Sequence, residues 1–185
     1  MFITLLLIGV ASTQGQDRSP TSPLERSRAA AGDLLTTLKA TLTTHLKQGG
    51  PGAALAVCAD TAQVLTESIA ARHGVTMRRV SRRWRNPLDA PDEYESRVLE
   101  EFQQSLQNGT LSDTTEHVAV STDGRHRVFR YLRPIRIQKP CLSCHGEDLA
   151  PGVGAALRQY YPEDRATGYR EGELRGAVSV QFVLD

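Results

Sequence analysis

The chain has 185 residues, with 22 Lys and Arg set against 21 Asp and Glu for a net charge of +1. That length suits one core rather than two large ones, and the even charge balance excludes the strongly basic surface of a nucleic-acid or anionic-membrane binder. Three cysteines are an odd number, which fits poorly with a disulfide framework in an exported chain of this size.

The opening MFITLLLIGVA is a short apolar run followed by the small and polar STQGQ, the pattern of the hydrophobic part of a secretory signal. It lacks the usual basic residues before the run, and it falls short of the roughly twenty apolar residues of a membrane-spanning helix. A buried N-terminal helix or strand is the competing reading, but the polar, Pro-rich QDRSPTSP that follows favours a linker. Residues 1–15 are therefore expected to be a signal segment, 16–24 a linker and 25–185 one domain. Export to the periplasm or cell exterior follows, the chain being free or held by an uncleaved N-terminal segment, with no other membrane span.

From Pro23 to about Lys47, Leu34, Leu35, Leu38, Leu42 and Leu46 recur at the spacing of an amphipathic helix, and GGPG breaks it. Pro51 suits the first turn of a second helix, whose face carries Leu55, Cys58, Ala62, Leu65 and Ile69 before Gly74 stops it. The two helices predict an antiparallel pair. VTMRRVS reads as a short strand, and Asn86-Pro87 and Asp89-Ala90-Pro91 as turns.

A third helix is expected from near Pro91, with Asp92, Glu93 and Glu95 favourably placed against the helix dipole and Val98, Leu99, Phe102 and Leu106 on its apolar face. HVAVS and RHRVFRYLRPIRI predict a hairpin turning at Thr122-Asp123-Gly124, and GAVSVQFVL a last strand. Helices followed by a mostly antiparallel sheet, with a helix among the strands, make an α+β fold.

Between the hairpin and the last strand lies Pro140-Cys141-Leu142-Ser143-Cys144-His145-Gly146, whose central five residues match the c-type haem attachment pattern. Two thiols two residues apart can each bond one of the two haem vinyl groups, and the adjacent imidazole then reaches the iron. Random placement of three Cys and five His gives this pattern in about one chain per thousand. A zinc site would need a second cysteine pair, and only Cys58 remains; a bare Cys-x-x-Cys redox pair is the other competitor. Cys141 and Cys144 are thus expected to hold one covalent haem c, with His145 as its proximal iron ligand.

The group on the other side of the iron is open at this level. No Met follows the motif, so the common His/Met pair has no support. Cys58 lies on an apolar helical stripe, where a lone Cys is ordinarily a small buried hydrophobe; a distal thiolate is the sharper alternative. His45, His73, His117 and His126 each have an adequate structural reading. Arg78, Arg79, Arg82, Arg83 and Arg85 form a basic stretch that could pair with haem propionates or be a solvated face balanced by Asp92, Glu93 and Glu95. Trp84 and Tyr131 are candidates to pack on the porphyrin, or core.

Cys58 on its helix, the stretch Arg82 to Glu95 (RRWRNPLDAPDEYE), Pro140 to Gly146 and Gly172 to Val180 (GELRGAVSV) together resemble the PAS-like single-haem cytochrome c family, across residues 25–185. The resemblance implies a PAS-like antiparallel sheet behind an N-terminal helical hairpin. It implies an exported protein or an extracytoplasmic sensor domain, with His145 proximal and Cys58 distal to the iron. Arg85 and Asn86 would border the haem, with no catalytic role.

The resulting expectation is a non-enzymatic cytochrome for redox or small-gas sensing or for low-potential electron transfer. Its partner would be an unidentified redox or signalling protein, with no nucleic acid. The alternative from a different class is a haem peroxidase-like enzyme using His117 or His126 as distal acid or base.

Overall fold

In the computed structural model residues 22–184 are described; the expected signal segment, and the expected linker up to residue 21, lie outside them. Ser22 caps the first helix by accepting a hydrogen bond from the Glu25 amide at 3.2 Å, and Pro23 occupies its first turn. The helix therefore starts two residues before the expected domain boundary.

This helical run, α1 (Pro23–His73), is 51 residues long and is broken at Gly50, with φ 73° and ψ −178°, just before Pro51. Its ends meet: the Arg26 Nε donates to the His73 carbonyl at 2.6 Å. In a straight helix those residues would stand about 70 Å apart, so the chain folds back at the glycine into two antiparallel arms, 23–49 and 51–73. The Gly-Gly-Pro-Gly break was legible for a physical reason, since glycine alone adopts that φ without strain and proline restarts a helix.

Four strands follow, β1 (Thr76–Val80), β2 (His117–Asp123), β3 (His126–Arg136) and β4 (Leu174–Leu184), paired in the order β1-β4-β3-β2 and antiparallel throughout. Between β1 and β2 stands α2 (Glu93–Gln107), opened by a capping box in which Asp92 accepts from the Glu95 amide and Glu95 from the Asp92 amide. The α+β expectation holds in the order of elements and in the sheet.

Alternation along the strands gives the sheet two apolar faces. Met77, Phe129, Tyr131, Val178 and Val180 pack against Ala30, Ala31, Leu34, Ile69 and Ala70 of the two α1 arms. Val80, Leu132 and Ala177, an odd number of positions along the same strands, face the other way, onto Val98, Leu99 and Phe102 of α2. Tyr131, 1% exposed, is core beneath the helical arms and not a wall of the site. The β2–β3 turn also falls later than expected, since Asp123 still pairs with His126 and the loop is Gly124-Arg125, with Gly124 at φ 59°.

The segment between β3 and β4 holds two helices absent from the sequence reading, α3 (Leu142–His145) and α4 (Val153–Tyr160). Val153, Ala156 and Leu157 of α4 pack on Leu55 of the second α1 arm. Among the described residues no helix is long and apolar enough to cross a membrane.

Gly176, on the inner strand β4, shows how closely β4 meets the end of β1. It sits at φ 154°, and a β-carbon there would lie 2.1 Å from the Val80 carbonyl oxygen, whereas a β-carbon at Gly32, inside α1, meets nothing within 4 Å. Gly176→Ala is expected to lower the unfolding free energy by at least about 1–3 kcal/mol, and Gly32→Ala to raise it by roughly 0.5–1 kcal/mol. Urea unfolding of the two variants checks both signs.

Candidate haem site

The chain leaves β3 and is tied at once to the approach of β4, with the Ile137 amide on the Glu173 carbonyl and the Gly172 amide on the Ile137 carbonyl, both at 2.8 Å. From this anchored stem a 3₁₀ turn, Lys139–Cys141, runs directly into α3. Cys141 and Cys144 therefore lie on one short helical stretch, both half-buried and both free thiols. Cys141 packs beside Ile137, Ala166 and Tyr169, and Cys144 beside Leu55, Val153, Ala156 and Leu157.

His145 ends that stretch. Its Nδ1 lies 2.6 Å from the Ala166 carbonyl oxygen, its own carbonyl accepts from the Tyr169 amide at 2.8 Å, and its ring meets Tyr169 edge-on at 6.2 Å. Burial pushes the imidazole pKa down to about 2, helped by the positive charges of Arg175, Arg85 and Arg79 and opposed by the Ala166 carbonyl. The ring is therefore neutral across the physiological range. A carbonyl can only accept, so the single ring proton sits on Nδ1 and Nε2 carries the lone pair. This is how a metal-ligating histidine is ordinarily oriented.

Arg85 holds the loop in this arrangement. Its Nε donates to Asp164 Oδ1 at 2.8 Å, and its Nη2 donates to the Cys144 carbonyl at 2.7 Å and the Ala166 carbonyl at 3.3 Å. Both side chains of the ion pair are under 10% exposed. Arg85 thus touches the carbonyl between the two motif positions Cys144 and His145 and the one that orients the imidazole. The structure makes it a positioning residue. Asn86 caps the turn Pro87–Asp89 by accepting from the Leu88 amide at 3.0 Å, and lies on the same rim.

Cys58 comes to this place from the second α1 arm. Burial pushes its thiol pKa up and the neighbouring Cys144 adds to that, while the Arg79 and Arg85 guanidinium groups pull it down. The same two arginines act on His145, so Cys58 and His145 share one electrostatic environment. A cleft of about 240 Å³ opens beside Cys58, lined by Ala59, Asp60, Asn86, Pro87 and Tyr161.

The remaining histidines stay elsewhere. His73 pairs with Asp33 at 2.7 Å at the end of the α1 arms, and His45 is half-buried along the first arm. His117 is held between Tyr94 at 2.9 Å and Glu101 at 3.1 Å, and His126 is exposed at the far end of β2–β3. His117 is thus engaged by Tyr94 and Glu101 of α2, and His126 stands at the β2–β3 turn. Of the basic stretch, Arg78 bonds Glu95, Arg82 bonds Glu100 and Arg83 stacks on Tyr169 at 3.9 Å. Trp84 carries the Arg165 guanidinium at 4.5 Å. Tyr161, Tyr169, Asp164, Ala166 and Arg175 belong to the site without having been singled out in the sequence.

The donors present fit a covalently held haem. Two free thiols stand at attachment spacing, one imidazole offers its Nε2 lone pair, and one more sulfur lies close by. His145 and Cys58 offer two donors; among the described residues no group of three or more His, Cys, Asp and Glu side chains could hold a metal ion.

The family model described as Tll0287-like matches residues 17–182 of this chain. Among solved structures, the crystal structure of the cyanobacterial heme-protein Tll0287 is similar, with a TM-score of 0.63 and 27% sequence identity, covering 89% of this chain and 98% of that one. No curated protein matches.

Removing one member of a buried ion pair strands the other, at a cost of about 3–5 kcal/mol. Asp164→Ala is therefore expected to destabilise the protein by that amount. Arg82→Ala, which breaks an exposed pair with Glu100, should cost no more than about 1 kcal/mol. Denaturant midpoints of the two variants against wild type measure the contrast.

Proposed function

The chain belongs to the Tll0287-like family, and from that premise we propose that it is an exported haem protein of the c type, carrying one covalent haem for redox or small-gas sensing or for low-potential electron transfer. Haem binding rests on the family and on the likeness to a cyanobacterial heme-protein. The c-type attachment rests on one observation of this chain: Cys141 and Cys144 are free thiols on the same short helix as a histidine already locked in the ligating tautomer. A PAS-like description of the domain is supported by the four-stranded antiparallel sheet with helices inserted between its strands.

Each residue has a defined task in this reading. Cys141 and Cys144 would each add a thiol across a vinyl group, the sulfur bonding one carbon and the hydrogen ending on the other, so no oxidant would be consumed. His145 Nε2 would ligate the iron, while the Ala166 carbonyl holds Nδ1–H and so raises the basicity of the donor nitrogen. Cys58 would provide the second iron donor, a sulfur. Its thiol is raised by burial, so the proton leaves when a metal replaces it, as bound cations enforce on thiols. When bound, haem would supply a one-electron iron couple and, at any iron position the protein leaves open, a site for a small gas.

A thiolate beside the iron favours the ferric charge and lowers the reduction potential. Low-potential transfer and redox sensing both follow from that, with an unidentified redox or signalling protein as partner. Location outside the cytoplasm is supported by the apolar segment at residues 1–11.

The experiment is spectroscopic, on protein matured by the bacterial cytochrome c machinery. Wild type is expected to show a low-spin thiolate-ligated ferric spectrum that Cys58→Ala loses, and a ferrous spectrum that changes under carbon monoxide. An unchanged ferric spectrum in Cys58→Ala contradicts the distal assignment. A ferrous spectrum indifferent to carbon monoxide contradicts gas sensing and narrows the function to electron transfer.

A further inference from the structure

The charges around His145 do not balance. Three guanidinium groups, from Arg79, Arg85 and Arg175, act on its imidazole, and two carboxylates, from Asp89 and Asp164, face them. The Arg85–Asp164 pair is close, at 2.8 Å, and satisfies both members. Arg79 reaches Asp89 only at 3.7 Å. For Arg175 no carboxylate stands at ion-pair distance among the described residues; its Nη1 donates to the Arg83 carbonyl at 3.1 Å, and its guanidinium lies 5.7 Å from the Tyr169 ring centroid. Burial holds the Arg175 pKa below its ordinary value, although a guanidinium keeps its proton regardless.

Geometry ties these two arginines to the haem loop. Tyr169 touches the His145 ring edge-on at 6.2 Å and Arg175 on its face side, so imidazole and guanidinium share one aromatic neighbour. Arg79 is on β1 and Arg175 is the second residue of β4, the strand hydrogen-bonded to β1, so one sheet carries the two. A half-buried cation with no close counter-charge, such as Arg175, or with only a loose one, such as Arg79, favours a state that supplies one, and a planar fork suits a carboxylate.

We infer that Arg175 and Arg79 are the anchor for the carboxylate side chains of the bound tetrapyrrole, the propionates of the haem, and that the unbalanced positive charge beside His145 is completed by them. This rests on the haem reading above. Of the other arginines on the basic stretch, Arg78, Arg82 and Arg85 each already face a carboxylate at 3.0 Å or closer, and Arg83 lies over Tyr169 with its donors on the Arg165 and Thr167 carbonyls, so they take no part. The arrangement also sets a charge near the iron: a guanidinium there disfavours the ferric form and so opposes the effect of an axial thiolate.

The test uses haem-loaded protein and the variants Arg175→Gln, Arg79→Gln and, as a control of equal charge change at the surface, Arg82→Gln. Covalent haem content, midpoint potential against pH, and the propionate bending band of the resonance Raman spectrum are measured. The expected result is a lower potential in Arg175→Gln and Arg79→Gln, with a redox-linked protonation step near neutral pH as the propionates lose their partners, and a displaced propionate band. Arg82→Gln behaves as wild type. Should either Gln variant fail to mature, Arg175→Lys and Arg79→Lys keep the charge but lose the fork, and the displaced Raman band is still expected. Loaded variants whose potential, pH profile and propionate band all match wild type overturn the assignment. Inorganic phosphate added to wild type should leave the potential unmoved; a saturable shift would make the arginines a free-anion site and overturn it as well. Wild type that carries no haem defeats the haem reading itself, which is a different outcome from loaded variants that do not respond.

Discussion

The buried Arg85 guanidinium is the contact on which the site depends. It joins residues distant in sequence, taking Asp164 as its counter-ion and the carbonyls of Cys144 and Ala166 as acceptors. A charge removed from water needs a partner and satisfied donors, and meeting that need fixes the path of the motif loop. The same Ala166 carbonyl that receives Arg85 receives the His145 Nδ1 proton. One ionic contact thus decides where both the attachment loop and the ligating nitrogen stand, before any cofactor arrives.

The rest of the fold serves that placement. The sheet is shielded on one face by the α1 arms and on the other by α2. This leaves the β3–β4 connection free to form a loop of its own at one end of the sheet, tied at its stem through Ile137. Reversal of α1 at Gly50 brings the second arm beside that loop, and close approach of Gly52 to the Gly152 backbone, where an added β-carbon would lie 3.2 Å away, lets α4 sit against the arm. Cys58 reaches the site only because of that reversal. The fold therefore supplies one sulfur from a helix and two sulfurs and a nitrogen from a loop.

Much of this was legible in the residues, and the reasons are local. The Gly-Gly-Pro-Gly break, the acidic first turn of α2 and the alternating strands are short-range signals that tertiary contacts reinforced. The Cys-x-x-Cys-His motif carries its chemistry in five consecutive positions. The parts that were not legible are long-range or lie in the backbone. A carbonyl such as that of Ala166 has no residue-type signature, and nothing in the sequence joins Arg85 to Asp164. Arg175 stood just ahead of the expected last strand, and the basic stretch gave no sign of which carboxylate or carbonyl each of its arginines would meet. The short α4, eight residues with modest apolar spacing, was hidden in a segment dominated by turn residues. Tyr131 illustrates the reverse: an aromatic near the motif in sequence is core, because strand alternation turns it toward α1.

The most direct measurement is peptide mass mapping of the mature protein after denaturation and trypsin. Cleavage after Arg136 and Arg158 is expected to release the segment 137–158 with the mass of one haem added and both thiols consumed, while the peptide containing Cys58 appears unmodified. A segment 137–158 of unmodified mass, with any haem lost on denaturation, would contradict covalent attachment at Cys141 and Cys144 and with it the account of the loop as an attachment site.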